Sequence, residues 1–157
     1  MTGIAAAAAL IILALCAGVL GVISAVSGFR DQAADARESR QLRETSCLEL
    51  EQRLNRLTPP GATANAPARA TAIRDENSAV RIYVEQSRSE REQNAWRQLL
   101  DARTAYAEAL MQQAKTRTPA FFVAPLAEDG SAVTDQLERW SPAACAGAIR
   151  RLSAPDW

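Results

Sequence analysis

The first 29 residues, Met1 to Phe29, contain no Asp, Glu, Lys or Arg, and within them Ile4–Val26 is apolar or small throughout. No other feature restricts the folding of this chain as strongly. A hydrocarbon core of ~30 Å takes about 20 helical residues at ~1.5 Å each. A domain built from what remains has no use for a core helix of that length. Ile4–Val26 therefore predicts a single transmembrane helix, with residues 1–29 as an anchor and residues 30–157 as a soluble body. A cleaved signal peptide would carry a basic start and an apolar core of ~7–15 residues. The start here has no Lys or Arg and the apolar run is longer, although Ala25-Val26-Ser27 passes as a small-residue cleavage site. Cys16 follows Leu15 rather than a small residue, which argues against lipidation at that position. Ala17, Gly21 and Ala25 recur every four residues, a spacing that lets two membrane helices approach closely. An alanine-rich anchor also acquires such spacing from its composition.

The body reads as mainly α. From Arg30 to Leu57 there is no Gly or Pro, and Cys47, Leu50, Leu54 and Leu57 form one helical stripe. Thr58-Pro59-Pro60-Gly61 ends that helix, because proline lacks the amide donor that the next turn needs. Asn65 is a candidate cap for a second helix with Pro67 in its first turn. Ala68–Ala114 is again free of Gly and Pro, which predicts a long helix with two apolar stretches: Ile73, Val80 and Val84, then Trp96, Leu99, Arg103, Tyr106 and Leu110. Between them Gln86–Asn94 holds no apolar residue and is either a solvated length of helix or a break. Val80–Val84 alternates as a strand would, but no partner strand is evident, so helix is expected. These two helices predict an antiparallel hairpin over 30–118, turning at a loop over 58–67. A C-terminal segment, 119–157, packs back on it. In that segment Ser131 is expected to cap a short helix running to Arg139, and Ser141-Pro142 to open a last one bearing Cys145, Ile149 and Leu152.

Cys47 and Cys145 each fall on the apolar stripe of a predicted helix, so packing those helices together brings the sulfurs to facing surfaces. A disulfide between them is expected, and in the loop-entropy model it stabilises the fold by ~4–5 kcal/mol. The pair also bears on topology. Arg30, Arg37, Arg40 and Arg43 follow the anchor, and counted by the positive-inside rule they place the body in the cytoplasm. A disulfide argues for the opposite side, and an extracytoplasmic body is the expectation adopted.

The chain has no histidine, which excludes Ser-His-Asp and Cys-His nucleophile pairs and histidine-ligated metal sites. No glycine falls in a phosphate-loop frame. With 18 Lys+Arg against 18 Asp+Glu, there is no net positive charge to favour nucleic acid. No cofactor, metal site or catalysis is expected. Arg74-Asp75-Glu76-Asn77 is a polar cluster near the start of the long helix, read as carboxylates favoured by the helix dipole rather than as a cation site. Arg88–Arg97 reads as a solvated, ion-paired helix, with partner docking as its alternative. Phe121, Phe122 and Val123, with Trp140, are the candidate partner contact if they do not fold back over the helices.

The resulting expectation is a non-catalytic, single-pass protein of the bacterial inner membrane. Its body would be an interaction or assembly module for an envelope protein or a second copy. The 17 Arg to a single Lys, with abundant Ala, accord with a high-GC genome. In layout, an N-terminal anchor followed by a charged helical stalk resembles the inner-membrane spanins of phage lysis cassettes, which would imply a lysis component. A tethered sensor with a ligand pocket between its helices is a further alternative.

Overall fold

A computed structural model describes residues 34–116 and 118–155. The expected membrane helix, with Ala17, Gly21 and Ala25, lies outside the described residues. Among the described residues, no helix is long and apolar enough to cross a membrane. The chain divides into two units, Met1–Gln41 and Leu42–Trp157. In the first, residues 34–41 are helical and exposed, with the Ser39 hydroxyl donating to the Asp35 carbonyl. The second is mainly helical, and no strand occurs among its described residues.

The first helix, α1, covers 34–55. In its second-unit part Cys47, Leu50 and Leu54 are buried, at the three-four spacing of the sequence. Its last turn tightens, with Arg56 and Leu57 amides donating to the carbonyls three residues earlier. Pro60–Ala62 forms a 3-10 turn in place of a further helical turn. The second helix, α2, is Ala66–Gln86, and the Asn65 side chain accepts the Ala68 amide at 2.9 Å as the expected cap. Within α2, Val80, Tyr83 and Val84 are buried while Arg81 and Ile82 are exposed. That is the helical period, and it decides against the alternating strand.

The long helix expected over 68–114 is broken. Ser87–Ser89 separates α2 from α3, Glu90–Thr116. Ser87 is extended and its amide closes α2 on the carbonyls of Tyr83 and Val84. The Ser89 carbonyl accepts the Gln93 amide to begin α3, and its hydroxyl accepts the Glu92 amide. Two serines thus satisfy groups that helix ends leave unpaired. Gln86–Asn94 has no apolar side chain to hold a straight continuation against a neighbour, so the chain folds back here instead. Contacts pair Tyr83 with Trp96, Asn77 with Leu100 and Glu76 with Arg103, an antiparallel order. The tightest hairpin is therefore α2–α3 about Ser87–Ser89, with α1 as a separate arm before the Pro59-Pro60 turn.

After α3, an extended segment leads to α4, Val133–Trp140, then a 3-10 turn at Ala143–Cys145 and α5, Ala146–Ser153. Gly130 turns the segment with φ +78°, a conformation that disfavours side chains. Ser131 does not cap α4. Ala132 stands at that position, and both the Ser131 amide and hydroxyl donate to Asp129. Ser141 instead closes α4 through its amide, and its buried hydroxyl has no hydrogen-bond partner among the described residues.

The interior consists of two apolar clusters. The larger joins Cys47, Leu50 and Leu54 of α1 to Val80, Tyr83, Trp96 and Leu99 of the hairpin and to Leu137, Ile149 and Leu152 of the C-terminal helices. The smaller is Ala70 and Ile73 against Tyr106, Ala107 and Leu110. Along the hairpin, the stretch between them is polar.

Candidate functional site

That polar stretch is built from Glu76 and Asn77 of α2 and Arg103 of α3, all buried. Arg103 stands on the apolar stripe of α3 because its charge is met inside the fold. Its guanidinium donates to the Glu76 carboxylate, to Asn77 Oδ1 at 2.8 Å and to the Leu152 carbonyl at 2.6 Å. Burial pulls the Arg103 guanidinium down from its ordinary value, and the adjacent Glu76 carboxylate opposes that shift. Arg151 of α5 reaches the other Glu76 oxygen at 2.7 Å and also donates to the Leu57 carbonyl at 3.2 Å. Glu76 is thus mid-helix and held by two arginines. It lies beyond the first turns of α2, which corrects the helix-dipole reading of Arg74–Asn77. Arg74 and Asp75 are exposed on the other side of the helix.

A second buried carboxylate, Glu92, is joined to the larger cluster through Tyr83, which also touches the disulfide. Cys47 and Cys145 are bridged across 98 residues, with both side chains fully buried, as their places on facing stripes predict. The Tyr83 hydroxyl lies 3.4 and 3.5 Å from the two sulfurs and donates its proton to Glu92 at 2.7 Å. The other Glu92 oxygen accepts Arg43 at 3.0 Å and the Ser87 hydroxyl at 3.3 Å. Burial, and then the neighbouring Glu92, hold the Tyr83 hydroxyl far above its ordinary pKa, so it stays protonated. Arg43 also donates to the Trp140 carbonyl at 2.7 Å. The expected solvated face over Arg88–Arg97 is corrected at Glu92, which is fully buried, while Trp96 is buried as its place on the apolar stripe predicts. A signal for Glu92 was present: Ser89-Glu90-Arg91-Glu92 has the S-x-x-E spacing of a capping box, which marks a helix start in the polar stretch. No local signal marks Arg43 or Arg151.

The three arginines share one role. Each pairs with a buried glutamate and also takes a carbonyl near the end of a helix: Trp140 of α4 for Arg43, Leu152 of α5 for Arg103, and Leu57 after α1 for Arg151. Cations are favoured at those ends. A guanidinium has enough donors in one plane to serve carboxylate and carbonyl together.

The candidate partner contact is split. Phe122 folds inward, packing on both clusters and edge-on to Tyr106 at 5.9 Å, and Trp140 is half-buried against the larger cluster. These two are removed from the expected patch by packing, Phe122 against both clusters and Trp140 against the larger one. Phe121 and Val123 remain outside, 76% and 75% exposed, and Leu126 joins them at 66%. In an extended segment, neighbours of an inward side chain point outward.

Two open clefts of about 330 and 300 Å³ lie on the surface. One is between Arg91, Gln98, Asp129 and Trp140, the other between Arg81, Val84, Arg97 and Asp101. Among the described residues, no group of three His, Cys, Asp or Glu side chains is placed to hold a metal ion. Compared with known proteins, the chain matches no family model, no curated protein and no solved structure.

Proposed function

We propose that this chain is a non-catalytic, single-pass membrane protein of the bacterial cell envelope, with its helical body outside the cytoplasm as an interaction or assembly module. The observation that carries the reading is the buried Cys47–Cys145 bridge. Structural disulfides persist in oxidising compartments and are rare in the cytosol. The apolar run Ile4–Val26 supplies the anchor. The buried ionisable groups of the body are committed to structure: both buried glutamates are taken up by arginines, and Tyr83 is kept protonated. Such a body is suited to holding a shape at the membrane rather than to turning over a substrate.

Because both sulfurs are buried, labelling the native cysteines would report unfolding rather than location. The test therefore uses Ile82, which is exposed on α2. A Cys16→Ser, Ile82→Cys chain is treated in intact cells with a small sulfonated maleimide. Labelling without lysis, together with faster migration of the unreduced wild-type chain on a denaturing gel, is the expected result. Labelling only after the cells are opened would place the body in the cytoplasm and make the arginine flank the governing signal.

A further inference from the structure

We propose that the loop carrying Phe121, Val123 and Leu126 inserts into the surface of the same bilayer that holds the anchor. This rests on the anchored reading above. Phe122 clamps the segment to both apolar clusters, so its neighbours are presented on a supported backbone rather than on a free tail. Three large apolar side chains within six residues are more than two-thirds exposed, or close to it. Together they offer roughly 400 Å² of side-chain surface, taking ~150–250 Å² for an aromatic ring and less for Val and Leu. A specific protein interface needs about 800 Å² on each side. The patch is too small for a stable second copy or a tightly held protein partner.

Its composition points the same way. Protein hot spots favour Trp, Tyr and Arg, with Val and Leu under-represented, whereas Phe and Leu are what interfacial segments bury beneath headgroups. Lys115 and Arg117 precede the patch in sequence and suit anionic headgroups. Glu128 and Asp129 follow it, within the turn that Gly130 completes.

The covalent chain provides the second argument. Leu42, where the body's unit begins, is sixteen residues after Val26. Even fully extended, that length reaches at most about 55 Å. The bilayer is therefore always within reach of the body, and tethering turns a weak insertion into an intramolecular one with a high effective concentration. A diffusing partner has no such advantage at so small a patch.

The test uses the full chain with Cys16→Ser and Val123→Cys, its native disulfide intact, labelled with a nitroxide. It is reconstituted into vesicles of phosphatidylethanolamine and phosphatidylglycerol. Collision rates of the label with oxygen and with a water-soluble nickel chelate report its depth, and Ile82→Cys is the reference on an exposed helix. The expected result is an oxygen-to-nickel ratio several-fold higher at position 123 than at position 82. Adding Phe121→Ser and Leu126→Ser should return it to the reference level. Both side chains are exposed, and an intact disulfide on a non-reducing gel verifies the fold. Equal nickel access at both positions, with the chain still floating with the vesicles, would overturn the insertion and leave the anchor standing. Protection from both reagents that disappears on dilution into excess lipid would identify a second copy as the occupant and overturn it equally. A chain that does not float with vesicles after an alkaline wash would overturn the anchored reading, and the insertion with it.

Discussion

Glu76 and Glu92 are both fully buried carboxylates in one hairpin, yet they are compensated differently. Glu76 is enclosed by two guanidinium groups, one of them fully buried, in a polar layer between two apolar clusters. Glu92 has a single arginine whose side chain is 48% exposed, and its remaining partners are the neutral hydroxyls of Tyr83 and Ser87. The first arrangement is held by charge in a medium that screens little. The second is held by one half-exposed arginine and two neutral hydroxyls, with the disulfide against Tyr83 as a covalent tie between the surrounding segments. Charge pairing suffices where helices α2, α3 and α5 converge. Where α1 meets the C-terminal turn, the chain uses a disulfide.

Several substitutions separate these two modes, with unfolding of the full chain in detergent by urea as the common measurement. Cys47→Ala with Cys145→Ala removes the covalent tie beside Glu92, and by loop entropy is expected to destabilise the body by about 4–5 kcal/mol. A loss under 1 kcal/mol would mean that the packing around Tyr83 holds α1 to the C-terminal turn without the bond.

Arg103→Met leaves Glu76 with Arg151 alone and the Asn77 side chain and Leu152 carbonyl without their donor. Breaking a buried pair costs about 3–5 kcal/mol. Adding Glu76→Gln should recover part of that loss, as coupling within one network requires. Strict additivity would show that Arg103 acts through packing alone.

The smallest effect is expected from Tyr83→Phe, about 1–2 kcal/mol near neutral pH for a lost buried hydrogen bond. Its signature lies in the pH dependence. A tyrosine whose folded pKa is raised binds its proton more tightly folded than unfolded, so its contribution is complete below the ordinary phenol pKa of about 10 and declines as pH rises beyond it. Wild-type stability should therefore fall more steeply above about pH 10 than that of Tyr83→Phe. Parallel alkaline curves would show that the Tyr83 hydroxyl ionises as easily folded as unfolded.

The residues of these two centres differ in how legible they were. Cys47 and Cys145 were readable because each is on a stripe whose period requires a partner, and the bridge needs nothing beyond those stripes meeting. Arg103 was visible on its stripe as an anomaly, a charge at a core position. Its partners were not, because Glu76 is 27 residues away and Leu152 is 49 residues away in the opposite direction. The Phe121–Val123 run was recognisable as apolar, but which ring faces in depends on where two clusters leave space for Phe122. The break at Ser87–Ser89 was marked by the polar stretch and by the S-x-x-E spacing, since a helix there has nothing apolar to hold it straight.

Local order in the body was determined by the sequence itself: helices wherever apolar residues recur at three-four spacing, an end at Pro59-Pro60, a cap at Asn65 and a turn at Gly130. These depend on backbone sterics and on hydrogen bonds that reach only a few residues, so the neighbours in sequence contain all that is needed. Tertiary structure alone decided which charges became structural. Arg43, Arg103 and Arg151 resemble the other fourteen arginines of the chain until packing brings each to a buried carboxylate and a helix-end carbonyl. A charge is tolerated inside only when partners arrive from distant segments to replace its water. No local pattern encodes that arrival.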